Sequence, residues 1–240
     1  MIFTDPIGFL ISSIFLIPAI VVVVPVHELG HAVAALWMGD PTPRNRGYLR
    51  PESGLVRRFY NVYGVLAAFL INVTWGSPAQ VNEYRLSGIG RKLGYVLGGP
   101  AANLLAAAVF GILLRVLHAA GAFEDRLSLA QPPIGYVATI VYALYFLNLS
   151  TFAFQLLPVP GLDGWRIVET LFRDRNPRFF FNVAANVQTI WLVAAVAVFL
   201  LPLVLGFSIL NYAVAIFFQP ASSVIVGSCT GYVVLLPCLP

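Results

Sequence analysis

Residues 7–31 read IGFLISSIFLIPAIVVVVPVHELGH, and this stretch decides the fold. Its first twenty residues, 7 to 26, carry no charged side chain. As helix they reach about 30 Å, the thickness of a bilayer's hydrocarbon core. The rest of the chain has the same character. Hydrophobic residues fill 59% of the 240 positions and charged residues only 10%, where a soluble domain carries about 25% charged. So few charges could not cover the surface of a soluble fold of this length. Disorder, fibrous repeats and disulfide scaffolds are excluded together. The chain reads as an integral membrane protein.

Apolar blocks run at about 6–38, 59–75, 93–118, 134–157 and 187–218. The first is too long for one straight crossing, and Pro18 and Pro25 are expected to kink it. The last is interrupted by Pro202 and Gly206 and reads as one broken span or two. No repeat and no separable soluble domain is visible. Residues 1–218 are therefore expected to form a single membrane domain, and 219–240, apolar and uncharged, a tail without a functional reading. The first block continues into charged, motif-bearing sequence with no small-residue cleavage site, so it is expected to stay attached. Cys229 and Cys238 form no metal-ligand pattern with a histidine.

Charge sets the expected topology. The net charge is +4, and 13 of the 14 basic residues are arginine. Segment 39–58 carries Arg44, Arg46, Arg50, Arg57 and Arg58. Segment 85–92 carries Arg85, Arg91 and Lys92, and segment 164–186 carries Arg166, Arg173, Arg175 and Arg178. By contrast, 119–133 has Glu124 and Asp125 against Arg126 alone. The positive-inside bias accounts for this pattern without nucleic-acid binding, and it places the basic loops in the cytoplasm. Block 59–75 lies between two basic loops, so a full crossing would strand one of them on the wrong side. It is short and contains Gly64, Asn72 and Thr74. It reads as a membrane-dipping or re-entrant element, with an ordinary short span as the alternative. The expected fold is all-α and polytopic, with about five to six transmembrane helices and this element between the first and second full spans.

Polar residues inside apolar spans carry the chemistry, because burying them is costly. His27-Glu28-Leu29-Gly30-His31 places two imidazoles at i and i+4 on one helix face, about 5–6 Å apart. Both can meet one ion, and Glu28 beside them can accept a proton from water at that ion. With 3 His and 5 Glu in the chain, a chance HExxH is expected in roughly one such sequence per thousand. A catalytic zinc site usually takes three protein ligands and keeps one position open. The remaining histidine, His118, sits at the far end of its span beside Arg115, where snorkelling explains it. Asp163 is the better third ligand. It follows Leu156-Leu157-Pro158-Val159-Pro160-Gly161-Leu162, whose prolines force extended chain that can carry a carboxylate back toward the helices. Depth agrees as well. His27 lies 11 residues before Met38, about 16 Å of helix below the cytoplasmic end.

HELGH on a membrane helix, Gly99-Pro100-Ala101-Ala102-Asn103 in a middle span and LLPVPGLDG after a later one together resemble the site-2 protease family of intramembrane zinc metalloproteases. Gly39-Asp40-Pro41-Thr42 and Trp75-Gly76-Ser77-Pro78 are further matches. The chain is similar to the compact subgroup without added sensory domains, over about residues 20 to 175. The resemblance implies one zinc per chain on His27, His31 and Asp163, with Glu28 as catalytic base. It also implies hydrolysis of peptide bonds within or near the membrane-spanning segment of another protein. The chain departs from the family pattern at Gln155, where Asn is usual, at Gly161, where a second Pro is common, and at Trp165, where a second Gly stands.

Gly94, Gly98 and Ala102 recur every four residues, a spacing that lets helices approach closely. Asn103 and Asn148 are candidates for positioning substrate or water, and an interhelical hydrogen bond explains either equally well. The expected partners are a transmembrane protein or peptide substrate and the lipid bilayer. The expected location is a prokaryotic cytoplasmic membrane, with the site in its cytoplasmic half. Two other functions compete: a catalytically inactive zinc-binding membrane protein that sequesters partners, and a transporter whose buried His and Glu form an ion path.

Overall fold

The computed structural model describes residues 6–50, 54–122 and 133–227. Glu124, Asp125 and Arg126 of the expected acidic loop, both cysteines, and the expected tail from 228 lie outside the described residues. Among those described, the chain is helical, with one isolated bridge and no strand. The helices are α1 (Pro6–Trp37), α2 (Thr42–Asn45), α3 (Val62–Ile71), α4 (Ile89–Ala119), α5 (Ile134–Gln155), α6 (Asp163–Phe172), α7 (Pro177–Ala185), α8 (Val187–Leu205) and α9 (Ile209–Val226). α1, α4, α5 and α9 are each long and apolar enough to cross a bilayer. α7 and α8, bent by 68° at their junction, make a fifth span if the pair counts as one. The protein is an all-α polytopic integral membrane protein.

α1 passes through both of its prolines as one helix. Each proline lacks the amide that would serve the carbonyl four residues earlier. For Pro25 that carbonyl belongs to Val21, and the Tyr60 hydroxyl donates to it at 2.7 Å. The weak point of α1 thus anchors the chain that follows residue 59. α4 crosses α1 antiparallel, with Gly94 on Met38, Gly98 on Ala34 and Gly30, and Ala102 on Gly30. A Cβ on Gly98 would lie 2.5 Å from the Ala34 Cβ. The four-residue repeat of small side chains is what lets these backbones touch. In lipid such packing gains dispersion rather than desolvation, so close fit matters more than apolarity. α5 is the enclosed helix, packed on α1, α4 and α9, with Tyr145, Leu147 and Leu149 fully buried.

Block 59–75 does not cross. α3 has 10 residues, about 15 Å of helix and half the hydrocarbon thickness. Asn61 caps it, accepting from the Tyr63 and Gly64 amides at 2.9 and 3.4 Å, a contribution of about 1 kcal/mol. Asn72 ends it at φ 56°, in the left-handed region that Asn tolerates better than most side chains. The chain then returns extended. A Cβ on Gly64 would collide with the Trp75 carbonyl, and the Thr74 hydroxyl donates to the Gly64 carbonyl at 2.9 Å. Tyr60 and Gly76 form an antiparallel bridge, and the Ser77 amide donates to the Phe59 carbonyl at 2.7 Å. The two ends of the element therefore meet, which makes it a re-entrant hairpin. Gly64, Asn72 and Thr74, the interruptions in its apolar run, are the residues that build it.

The last apolar block resolves into two helices, separated at Gly206 with φ 74°. The boundary expected after 218 falls inside α9, which continues to Val226. Val226 is fully buried in one cluster with Ala107, Leu114 and Tyr145. Residues 219–226 are thus packed helix, which runs through Pro220 and ends at Gly227 with φ 103°. The basic segment 164–186 folds mostly as α6 and α7.

Candidate metal centre

His27 and His31 project from one face of α1, with their Nε2 atoms 3.1 Å apart. Asp163 Oδ2 lies 3.1 Å from His27 Nε2 and 3.0 Å from His31 Nε2. All three residues are buried. The triangle is slightly smaller than the separation of about 3.3 Å between two ligands on a zinc tetrahedron. Hydrogen bonds alone do not account for it. Two imidazole nitrogens facing each other at that distance share at most one proton, yet both also face the same carboxylate oxygen. A single cation satisfies all three lone pairs, and the N,N,O donor set suits zinc. Among the described residues this is the one group of three or more His, Cys, Asp or Glu side chains able to hold a metal ion. His118 stays in the last turn of α4 and is not a member of it.

Three elements shape the triangle. On α4, the Tyr95 carbonyl lies 3.0 Å from His31 Nδ1. A proton on Nδ1 donates to it, and this tautomer, assigned from the bonding pattern, turns the Nε2 lone pair toward Asp163. The Gly99 amide is 3.3 Å from the same Nδ1. Gly99 supplies the room: a Cβ there would collide with His31 Nε2 and lie 2.8 Å from His27 Cε1.

The second element is the loop 156–162. The Val159 amide donates to the Leu157 carbonyl at 2.8 Å and the Leu162 amide to the Val159 carbonyl at 3.0 Å. Gly161 takes φ +97°, which proline, locked near −65°, could not adopt. The departure at Gly161 is therefore a different backbone path into the ligand. Asp163 opens α6, where the helix dipole favours a carboxylate. Arg166, one turn on, donates to the Tyr95 hydroxyl at 3.3 Å and pairs with Glu83 at 2.6 Å, tying α6 to α4. Trp165 packs on Phe180 and Phe179, with ring centroids 5.4 and 6.1 Å away, and so ties α6 to α7.

The third element is the chain after the re-entrant hairpin. Glu28 is buried, and its Oε2 accepts from the Ala79 amide at 3.4 Å. Gly76 passes so close that a Cβ would sit 2.7 Å from Glu28 Oε1. His27, Glu28, His31 and Asp163 all line one cavity of about 1070 Å³, whose other walls include Leu66 and Leu70 of α3, Gln155 at the end of α5, and Trp191 of α8. The arrangement offers a metal position, a carboxylate beside it and apolar walls for a chain.

Asn103 and Asn148 are fully buried outside the triangle. Asn103 lies one turn beyond Gly99, and neither of its amide atoms has a hydrogen-bond partner among the described residues. Asn148 donates to the Leu144 carbonyl at 2.7 Å, within its own helix. Sequence reasoning missed the Tyr95 carbonyl and the Ala79 amide, since backbone groups carry no residue signal. Gly99 had one, as the first residue of Gly99-Pro100-Ala101-Ala102-Asn103.

The chain is 30% identical over 162 residues to YwhC of Bacillus subtilis, which bears the name of a candidate zinc metalloprotease; the match covers 65% of this chain and 68% of YwhC. It is 27% identical over 186 residues to Rip2 of Mycobacterium tuberculosis, named in the same way, covering 75% of this chain and 64% of Rip2. Rip2 of Mycolicibacterium smegmatis is 29% identical over 154 residues, covering 63% of this chain and 55% of that protein. The match thus spans between roughly half and two thirds of these relatives. No protein-family model and no solved structure matches the chain. With the likeness to YwhC and a His-His-Asp group suited to zinc, the chain belongs to the site-2 protease family of zinc metalloproteases.

Proposed function

We propose that this protein is an intramembrane metalloprotease that hydrolyses peptide bonds within or near the membrane-spanning segments of other membrane proteins. The observation that carries the reading is the convergence of His27, His31 and Asp163 beside Glu28, in a cavity walled by apolar helices. His27, His31 and Asp163 would hold one zinc per chain. Zinc there would supply a Lewis acid that polarises a carbonyl and lowers the pKa of water to about 7.

Glu28 takes the proton of the attacking water on a carboxylate oxygen and passes it to the leaving amine nitrogen. The Ala79 amide holds Oε2, and the bare backbone at Gly76 leaves room at Oε1. The Tyr95 carbonyl keeps His31 in the tautomer that a metal needs. Neither Asn103 nor Asn148 lines the cavity, so any part they have in positioning substrate or water would be indirect. A substrate helix must unwind locally, because its own hydrogen bonds hide the peptide bond. α3 is itself helical, so the extended return limb 73–77 is where an unwound segment would pair as an added strand. The bacterial relatives favour a prokaryotic cytoplasmic membrane, and the basic segments on either side of the hairpin and after Asp163 favour the site in its cytoplasmic half.

The test is cleavage of a transmembrane test substrate by purified protein in detergent. Glu28→Gln is expected to keep one zinc per chain and to abolish cleavage, and removal of the metal by a chelator is expected to abolish cleavage by the parent protein. Cleavage retained by Glu28→Gln refutes the assignment.

A further inference from the structure

Gly39-Asp40-Pro41-Thr42 after α1 has no part in this chemistry so far, while Trp75-Gly76-Ser77-Pro78 enters it through the backbone of Gly76. The structure joins them. Asp40 is fully buried, and its Oδ1 accepts from the Thr42 amide at 3.0 Å and the Thr42 hydroxyl at 2.6 Å. Those bonds are local and form a turn of the kind Asp favours. Its Oδ2 reaches much further along the chain, accepting from the Asn82 amide at 2.7 Å. Asn82 is one end of the strap 76–82. The other end is pinned where the Ser77 amide meets the Phe59 carbonyl at 2.7 Å. Between the two anchors the Ala79 amide donates to Glu28, and just before the first of them the backbone of Gly76 passes close to the same carboxylate.

We infer that Asp40 is a positioning residue for Glu28: its Oδ2 pins the strap whose backbone holds the Glu28 carboxylate toward the cavity. A local turn needs only the Oδ1 side, and an Asn would serve it. The second oxygen, committed to an amide of another segment, is what requires a carboxylate. A carboxylate is buried without great cost only when donors surround it, and here three do. The inference rests on the reading of Glu28 as the base.

The variants separate the two oxygens. Asp40→Asn leaves one acceptor and cannot serve both Thr42 and Asn82, whereas Thr42→Val removes the hydroxyl alone and leaves the Asn82 anchor. In the full chain with zinc, Asp40→Asn is expected to lower kcat about 10- to 100-fold, the cost of a small misplacement of a reacting group. KM should stay within about twofold and zinc at one per chain, while Thr42→Val stays within about threefold of the parent in kcat. Amide exchange followed by mass spectrometry is expected to speed up over 76–82 in Asp40→Asn and not in Thr42→Val. A kcat for Asp40→Asn within about threefold of the parent, an equal loss in Thr42→Val, or unchanged exchange over 76–82 overturns the inference. Should Asp40→Asn fail to fold, Asn82→Pro removes the anchoring amide, leaves the carboxylate and its Thr42 bonds in place, and is held to the same outcomes. Glu28→Gln run alongside keeps the two claims apart. If it cleaves, the base assignment falls; if it is inert while Asp40→Asn behaves as the parent, this inference falls alone.

Discussion

Gly99→Ala adds one methyl group at the back of the metal triangle, and the structure sets its cost. The new Cβ would lie 2.8 Å from His27 Cε1 and collide with His31 Nε2, where ordinary contact begins at 3.4 Å. His27 must therefore retreat by about 0.6 Å and His31 further, whereas metal–ligand distances tolerate only about ±0.2 Å. Residues that merely orient a ligand cost about 10- to 100-fold in metal affinity when changed. Displacing two ligands at once should cost at least the upper figure, about 2.7 kcal/mol. Helix propensity pulls the other way by about 1 kcal/mol, since Ala is the better helix former. Gly90→Ala measures that pull alone, because a Cβ there meets nothing within 4 Å. The assay is zinc affinity by competition with a chelator, with helicity followed by circular dichroism. The expected result is a helical Gly99→Ala protein that has lost zinc affinity about 100-fold or more, beside a Gly90→Ala protein of parental affinity. A Gly99→Ala protein within about tenfold of the parent would mean that the triangle does not bind the metal as drawn.

Gly161→Pro restores the residue that the wider family favours, yet it should damage this chain. Proline cannot reach φ +97°, so stability should fall by more than about 1 kcal/mol and metal occupancy with it; thermal unfolding and metal analysis together check both. Asp40 predicts an acid dependence. Burial raises its carboxyl pKa, but the Thr42 and Asn82 donors and the Arg85 charge outweigh that and hold it below the ordinary 3.8. A depressed folded-state pKa contributes stability that is complete above the unfolded value and is lost as pH falls through the folded one. The stability gap between the parent and Asp40→Asn should therefore be constant above about pH 5 and shrink below the ordinary carboxylate value. A gap that persists undiminished into strong acid contradicts this.

Much of the fold was legible because its signals are local. A run without charge is long enough to span or it is not, and Gly94, Gly98 and Ala102 announced a close helix crossing that α1 and α4 make. Block 59–75 was legible as a membrane-dipping or re-entrant element, with a short span as the alternative, because loop charges on both sides disfavoured a crossing. The end of α9 was not legible, since no charge appears at 218 and the helix runs on through Pro220 to Gly227. Nor did the sequence show that α1 would stay continuous through Pro25. There Tyr60, distant in the chain, occupies the carbonyl that the proline leaves bare.

The candidate site divides in the same way. By itself the sequence determined the membrane class and the His27–His31 pair with Glu28 beside it, because apolar length and helical spacing are properties of consecutive residues. It nominated Asp163 from the chemistry of its loop. Only the tertiary structure decided that Asp163, 132 residues beyond His31, reaches the same point, that a Tyr95 carbonyl sets the imidazole, and that a strap pinned by Asp40 lies on Glu28. Those contacts are made by backbone groups and by packing between segments remote in the chain. Every residue has the same amide and carbonyl, so only the fold can say which of them meet.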